Sequence, residues 1–213
     1  MKKYAAAILA AVLLLAPLQS VLVRAQEAAP DQKETVQAQE GYRPGDSPAQ
    51  TGAVDAMSPA LHGVILAMLH QEAAVFDGTD PELGWEALYN MLSLYGQLDE
   101  RSEYIGEDLV LPVETAADFA AAIVPSLSDL GAMPEELSDR MVYDPEIDSY
   151  LVTCGSDSLA QIQVEQQETR DGALHLSGAL VYLVDGSELA QFQAVLAPRD
   201  NMFGYTVSQL EIG

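Results

Sequence analysis

Cys154 is the single cysteine of the chain, so no intramolecular disulfide can form and stability has to come from a packed core. The same scarcity excludes a lipid carried on a cysteine at an export cleavage site, because none stands near the N-terminus. Bases are scarce as well: nine Lys and Arg face 33 Asp and Glu, a net charge of −24. Phosphate backbones are held by clustered Lys and Arg, and those of this chain are scattered, which excludes nucleic acid as a partner. No phosphate loop, Cys-x-x-Cys or His-Glu-x-x-His occurs, so no cofactor and no metal is expected. The acidic loop Asp77-Gly78-Thr79-Asp80 lacks the ligand spacing of an EF-hand, and acidity of this degree reads as a solvated, self-repelling surface.

What is there begins with an export signal. Met1-Lys2-Lys3 is a short basic start, Tyr4 to Ala16 is an apolar run, and Val23-Arg24-Ala25 offers the small or aliphatic residues read at a cleavage site. The expected product is a secreted or envelope protein beginning at Gln26. The competing reading is an uncleaved anchor from Tyr4 to Val23, about twenty residues, the length a helical span needs. Cleavage removes Lys2, Lys3 and Arg24 and no acid, taking the net charge from −24 to −27. The remaining chain is long enough, and at 49% hydrophobic residues apolar enough, for one domain.

Residues 26–57 read as an acidic, disordered linker, with Pro30, Gly41, Pro44, Gly45, Pro48 and Gly52 as breakers and few large apolar residues to offset the entropy of ordering. The domain is expected over 58–213. Ser58-Pro59 supplies an N-cap and a first-turn proline, and Leu61, Val64, Ile65, Met68, Leu69 and Phe76 recur at helical spacing until Asp77-Gly78. Asp80-Pro81 repeats the device ahead of Trp85, Leu88, Tyr89, Leu92 and Tyr95, with Gly96 as the stop. His62 and His70, two turns apart, are too distant for one metal and read as structural. After a polar connection from Gln97 to Asp108, Leu109 to Leu111 is expected as a short strand and Ala116 to Val124 as a third, alanine-rich helix.

From Arg140 the period falls to two. Met141-Val142-Tyr143 and Tyr150 to Thr153 flank a turn at Asp144-Pro145-Glu146, Ala160, Ile162 and Val164 alternate with polar residues, and Asp171-Gly172 and Asp185-Gly186 turn two longer strands before a last one from Gly204 to Ile212. These elements predict an α+β fold, three N-terminal helices packed on a curved antiparallel meander of about five strands. Gly178 in mid-strand marks a bend or bulge. Leu174, Leu176, Leu180, Tyr182 and Val184 share one face, which would line an apolar cup. Val181 and Leu183 make the other face apolar near the hairpin tip, where a second copy of the protein would supply the cover.

Helix, helix, short strand, helix and curved meander, with the ending Phe203-Gly204-Tyr205-Thr206-Val207, resembles the cystatin-like cone of the NTF2-like superfamily, in particular small exported bacterial proteins. The resemblance covers roughly residues 58–213 and implies a helix-lined cup and a tendency to dimerise; it implies no activity, since the fold hosts enzymes, carriers and scaffolds alike. Ligand-binding candidates on it are Leu176, Leu180 and Tyr182. Catalytic candidates, an acid beside tyrosines, are Asp118, Tyr150 and Tyr182. Cys154 has no histidine nearby in sequence and reads as inert. The expectation is a non-catalytic binding or accessory module for a small apolar ligand or a protein partner. Its rivals are a cofactor-free isomerase or dehydratase and a structural part of an envelope complex.

Overall fold

In the computed structural model, which describes residues 48–155 and 159–213, the chain is α+β, with three helices and two four-stranded antiparallel sheets. The export signal, the alternative anchor and the linker as far as residue 47 lie outside the described residues. Helix α1 (Pro48–His70) begins well ahead of the expected Ser58. Pro59 sits inside it, and the Ser58 hydroxyl, instead of capping a first turn, donates back to the Val54 carbonyl at 3.1 Å. Met57 is fully buried, and Ala53 and Val54 pack against the core, so this stretch belongs to the domain.

The helix also stops sooner than the apolar spacing suggests. Glu72 takes a left-handed φ of 53°, and the Ala73 amide closes on the Met68 carbonyl, a termination motif in which glycine is the usual residue. Phe76 therefore lies beyond α1, its amide bonded to the Leu210 carbonyl. The segment Gly52–His70 is long and apolar enough to cross a membrane. Here it is a core helix, with Leu61, Val64, Ile65 and Met68 fully buried.

Helix α2 (Pro81–Tyr95) forms as its signals dictate. Asp80 accepts the Glu82 and Leu83 amides at 3.0 and 3.3 Å, Pro81 opens the first turn, and Trp85, Leu88, Tyr89 and Leu92 are buried. Gly96 keeps a right-handed φ of −57° and continues into a 3-10 turn rather than reversing the chain. Where α1 and α2 cross, Gly63 lies against Met91 and the Ala87 carbonyl. A Cβ there would fall 2.8 Å from that backbone oxygen, so only glycine admits this approach.

The strands depart from a single five-stranded meander. β2 (Asp108–Pro112) contains the short strand expected at Leu109 to Leu111, but it forms a hairpin with β1 (Glu103–Ile105), which lies inside the stretch expected as a polar connection; α3 (Val113–Ala120) follows. β3 (Met141–Asp144) and β4 (Ser149–Thr153) form the expected hairpin, but β4 pairs with β2, giving the order β1-β2-β4-β3. α3 thus lies between strands, and only two helices precede the first sheet. The second sheet is a meander of β5 (Ala160–Arg170), β6 (Ala173–Tyr182), β7 (Glu188–Pro198) and β8 (Tyr205–Ile212). Its register shifts at Val164/Gln166, Leu180/Val181 and Val195/Leu196. The first shift lies opposite Gly178, where a Cβ would stand 2.0 Å from the Gln163 carbonyl oxygen. Both sheets and the helices share one apolar core, which includes Leu88, Leu109, Val152, Leu176, Phe192 and Leu210.

Candidate functional site

The face expected to line a cup is closed. Leu176 and Leu180 are buried members of the core. β6 ends at Tyr182, which is half-buried, and Val184, 67% exposed, has left the strand for the turn. Leu183 and Leu189 are exposed beside it, and Leu159 joins them through the hydrogen bond of its carbonyl to the Leu183 amide. An apolar tip is therefore present, as the run of residues on both faces suggests.

The catalytic candidates do not come together. Asp118 lies on α3 with about half its side chain exposed, ion-paired to Arg101 at 2.8 Å. Tyr150 is buried on β4, its ring 5.3 Å from Tyr143 and 6.1 Å from Trp85, and burial raises its hydroxyl pKa. Tyr182 stands at the end of the other sheet. No hydrogen bond, ion pair or ring contact joins any two of the three.

A polar cluster that sequence reasoning did not assemble ties the end of α1 to α2 and β3. Glu86, on α2, is buried, and burial alone would raise its pKa; the Arg140 fork, at 2.9 and 2.7 Å, and His70 Nδ1, donating at 3.0 Å, together lower it. Arg140 also lies over the Tyr89 ring at 4.5 Å, and the Tyr89 hydroxyl donates to the Thr153 carbonyl. Glu86 is held ionised and its oxygens are taken, which suits a structural anchor and not proton transfer. Cys154, half-buried, has the Tyr104 hydroxyl and the Val152 carbonyl as its polar neighbours, both at 3.9 Å, and no base activates it.

Concave space lies elsewhere, along the outer edge of β8. The segment after α1 docks there through Val75 bridging Glu211, the Phe76 amide on the Leu210 carbonyl at 2.8 Å and the Ile212 amide on the Ala74 carbonyl at 3.0 Å. The segment after α3 docks farther along the same edge, where Val207 donates to the Ala122 carbonyl at 2.8 Å. The β7–β8 loop fixes this second segment. Asn201 donates to the Ala121 carbonyl at 2.8 Å and to Tyr205, and Arg199 donates to the Val124 carbonyl at 3.3 Å and to that of Pro125.

Between the two docked segments runs an open groove of about 570 Å³. Phe76, Ile123, Val124 and Val207, each at most 7% exposed, lie beneath it as an apolar floor, Val75 stands exposed at the side, and Arg199 and Thr206 add polar groups. Asp77 also borders it, but its carboxylate accepts the Thr79 hydroxyl at 2.7 Å and the Thr79 amide at 2.9 Å, which lower its pKa. The carboxylates of the Asp77 to Asp80 loop are thus engaged in a turn and a helix cap. The groove is chemically suited to hold an apolar body with a polar end, and it contains no paired acid and base. In comparison with known proteins, no family model, no curated protein and no solved structure matches this chain.

Proposed function

We propose that the protein is an exported, non-catalytic binding or accessory module built on the NTF2-like pattern, and that it holds a small apolar ligand in the groove along β8. The observation that carries this reading is the groove: about 570 Å³, apolar at its floor, and within the size range of small-molecule pockets, roughly 300–1,000 Å³. The order of two helices, strand β2, α3 and a later four-stranded antiparallel meander supports the NTF2-like reading, and the Met1 to Ala25 sequence supports export. The absence of contact among Asp118, Tyr150 and Tyr182 weighs against the isomerase or dehydratase alternative. On this reading the ligand lies against Phe76, Ile123 and Val207, and not against the expected Leu176, Leu180 and Tyr182.

A thermal-shift screen against small apolar compounds tests it. A ligand that binds only the folded protein raises the melting temperature by mass action, and a binding module returns that ligand unchanged. Recovery of a chemically altered compound would favour the enzyme alternative. A screen in which no compound moves the melting temperature contradicts the proposal.

A further inference from the structure

Every described residue after Lys33 that carries a full positive charge is an arginine, and the four of them are not equivalent. Arg101 pairs with Asp99 and Asp118 at 2.7 and 2.8 Å, Arg140 with Glu86 at 2.7 Å, and Arg170 with Glu168 at 2.7 Å. Arg199 pairs with no carboxylate among the described residues; its partners are the carbonyls of Val124 and Pro125. In a chain of net charge −24, with the other three described arginines each paired to a carboxylate, this sets Arg199 apart. Asp200 is its neighbour in sequence, and Asp77 stands on the border of the same groove with its oxygen Oδ1 engaged by Thr79.

From this we infer that the groove takes amphiphilic monocarboxylates, with Arg199 as the group that holds the carboxylate and Phe76, Ile123 and Val207 covering the apolar tail. The inference rests on the groove being the binding site. A guanidinium has five N–H donors, and those not spent on the two carbonyls have no acceptor in the described structure. The two backbone bonds fix the planar head in place, so a carboxylate meets a preorganised fork at little further cost in side-chain entropy. The Thr206 hydroxyl, on the same wall and without a protein partner among the described residues, is a further donor for it. The acidity of the rest of the chain disfavours dianions such as phosphate monoesters, since one arginine, in a groove that Asp77 also borders, cannot offset a second negative charge. A single carboxylate on an apolar chain satisfies the fork and the floor together.

Calorimetric titration of the full chain with octanoate, octanol and octylamine tests the inference. Octanoate should bind about tenfold or more tightly than octanol, as expected for a charge-assisted hydrogen bond, and octylamine should bind least. Arg199→Gln should erase the preference, octanoate then binding no more tightly than octanol to the same variant. Arg199→Lys, which keeps a charge and loses the fork, should retain part of it, so the chemistry of the residue can be read even where one variant folds poorly. Equal binding of octanoate and octanol to the wild type would overturn the carboxylate assignment while leaving the groove as an apolar site. Preference for octanoate persisting in a folded Arg199→Gln protein would overturn the role of Arg199. Binding of none of the three would overturn the groove itself.

Discussion

His62 is fully buried on α1 and shares a hydrogen bond of 2.7 Å with the Tyr95 hydroxyl, the two rings meeting edge to face. Burial lowers its pKa from 6.5 to about 4. The unfolded chain takes up a proton at this residue once the pH falls below 6.5, whereas the folded protein does not until about 4, so protons favour unfolding throughout that interval. Stability should decline as pH falls from 6.5 to 4, with this residue contributing a loss of about 3 kcal/mol. Glu86 acts lower on the scale. Its folded pKa lies below the ordinary carboxylate value, so its contribution is present above that value and is lost as pH falls through the folded one. Urea titrations of wild type and His62→Gln at several pH values separate the two groups. The curves should converge as pH falls from 6.5 to 4, because glutamine has no proton to take up; parallel curves would refute the shift. Sequence alone marked His62 as structural, and the buried pair with Tyr95 agrees. It could not supply the partner, because residues 33 apart in sequence meet only through the crossing of two helices.

At the scale of elements, legibility followed local chemistry. Asp80-Pro81 states the start of α2 in its own side chain and ring, the turns Asp171-Gly172 and Asp185-Gly186 separate β5, β6 and β7, and the expected last strand from Gly204 to Ile212 matches β8 to within a residue. β1 was missed because Glu103, Tyr104 and Ile105 are all exposed, so no alternation betrays them; only pairing with β2 makes them a strand. The start of α1 was missed for the opposite reason. Ser58-Pro59 carries a genuine capping pattern, and tertiary contacts of Met57, Val54 and Ala53 overrode it. Gly178 was read correctly as the mark of an irregular strand, and the register shift opposite it supplies the cause. β-propensity alone would have Gly178→Ala or Gly178→Val stabilise β6. The Gln163 carbonyl, 2.0 Å from where the Cβ would sit, reverses that sign: both substitutions should destabilise by about 2–3 kcal/mol or more, valine the more severely. Chemical denaturation reads this directly, and a neutral or stabilised variant would mean that the two strands do not approach so closely.

At the scale of the whole molecule, the described sheets and helices close over one core, and the groove proposed for a ligand lies at the sheet edge. Nothing in the sequence announced this. The groove is assembled from residues 75–79, 123–125, 199 and 206–208, four stretches without a shared motif, brought together because both inter-element segments find hydrogen-bonding partners on β8. The sequence did carry the charge imbalance. Which of the described arginines lacks an acidic partner is a property of the fold, and the carboxylate preference proposed for the groove rests on it.

The central claim is therefore a location, and amide NMR of the full chain titrated with octanoate tests it most directly. The account expects progressive shifts confined to residues 75–79, 123–125, 199 and 206–208, with the amides of Leu176, Leu180 and Tyr182 unmoved. Shifts centred on β6, or none at saturating octanoate, would contradict it.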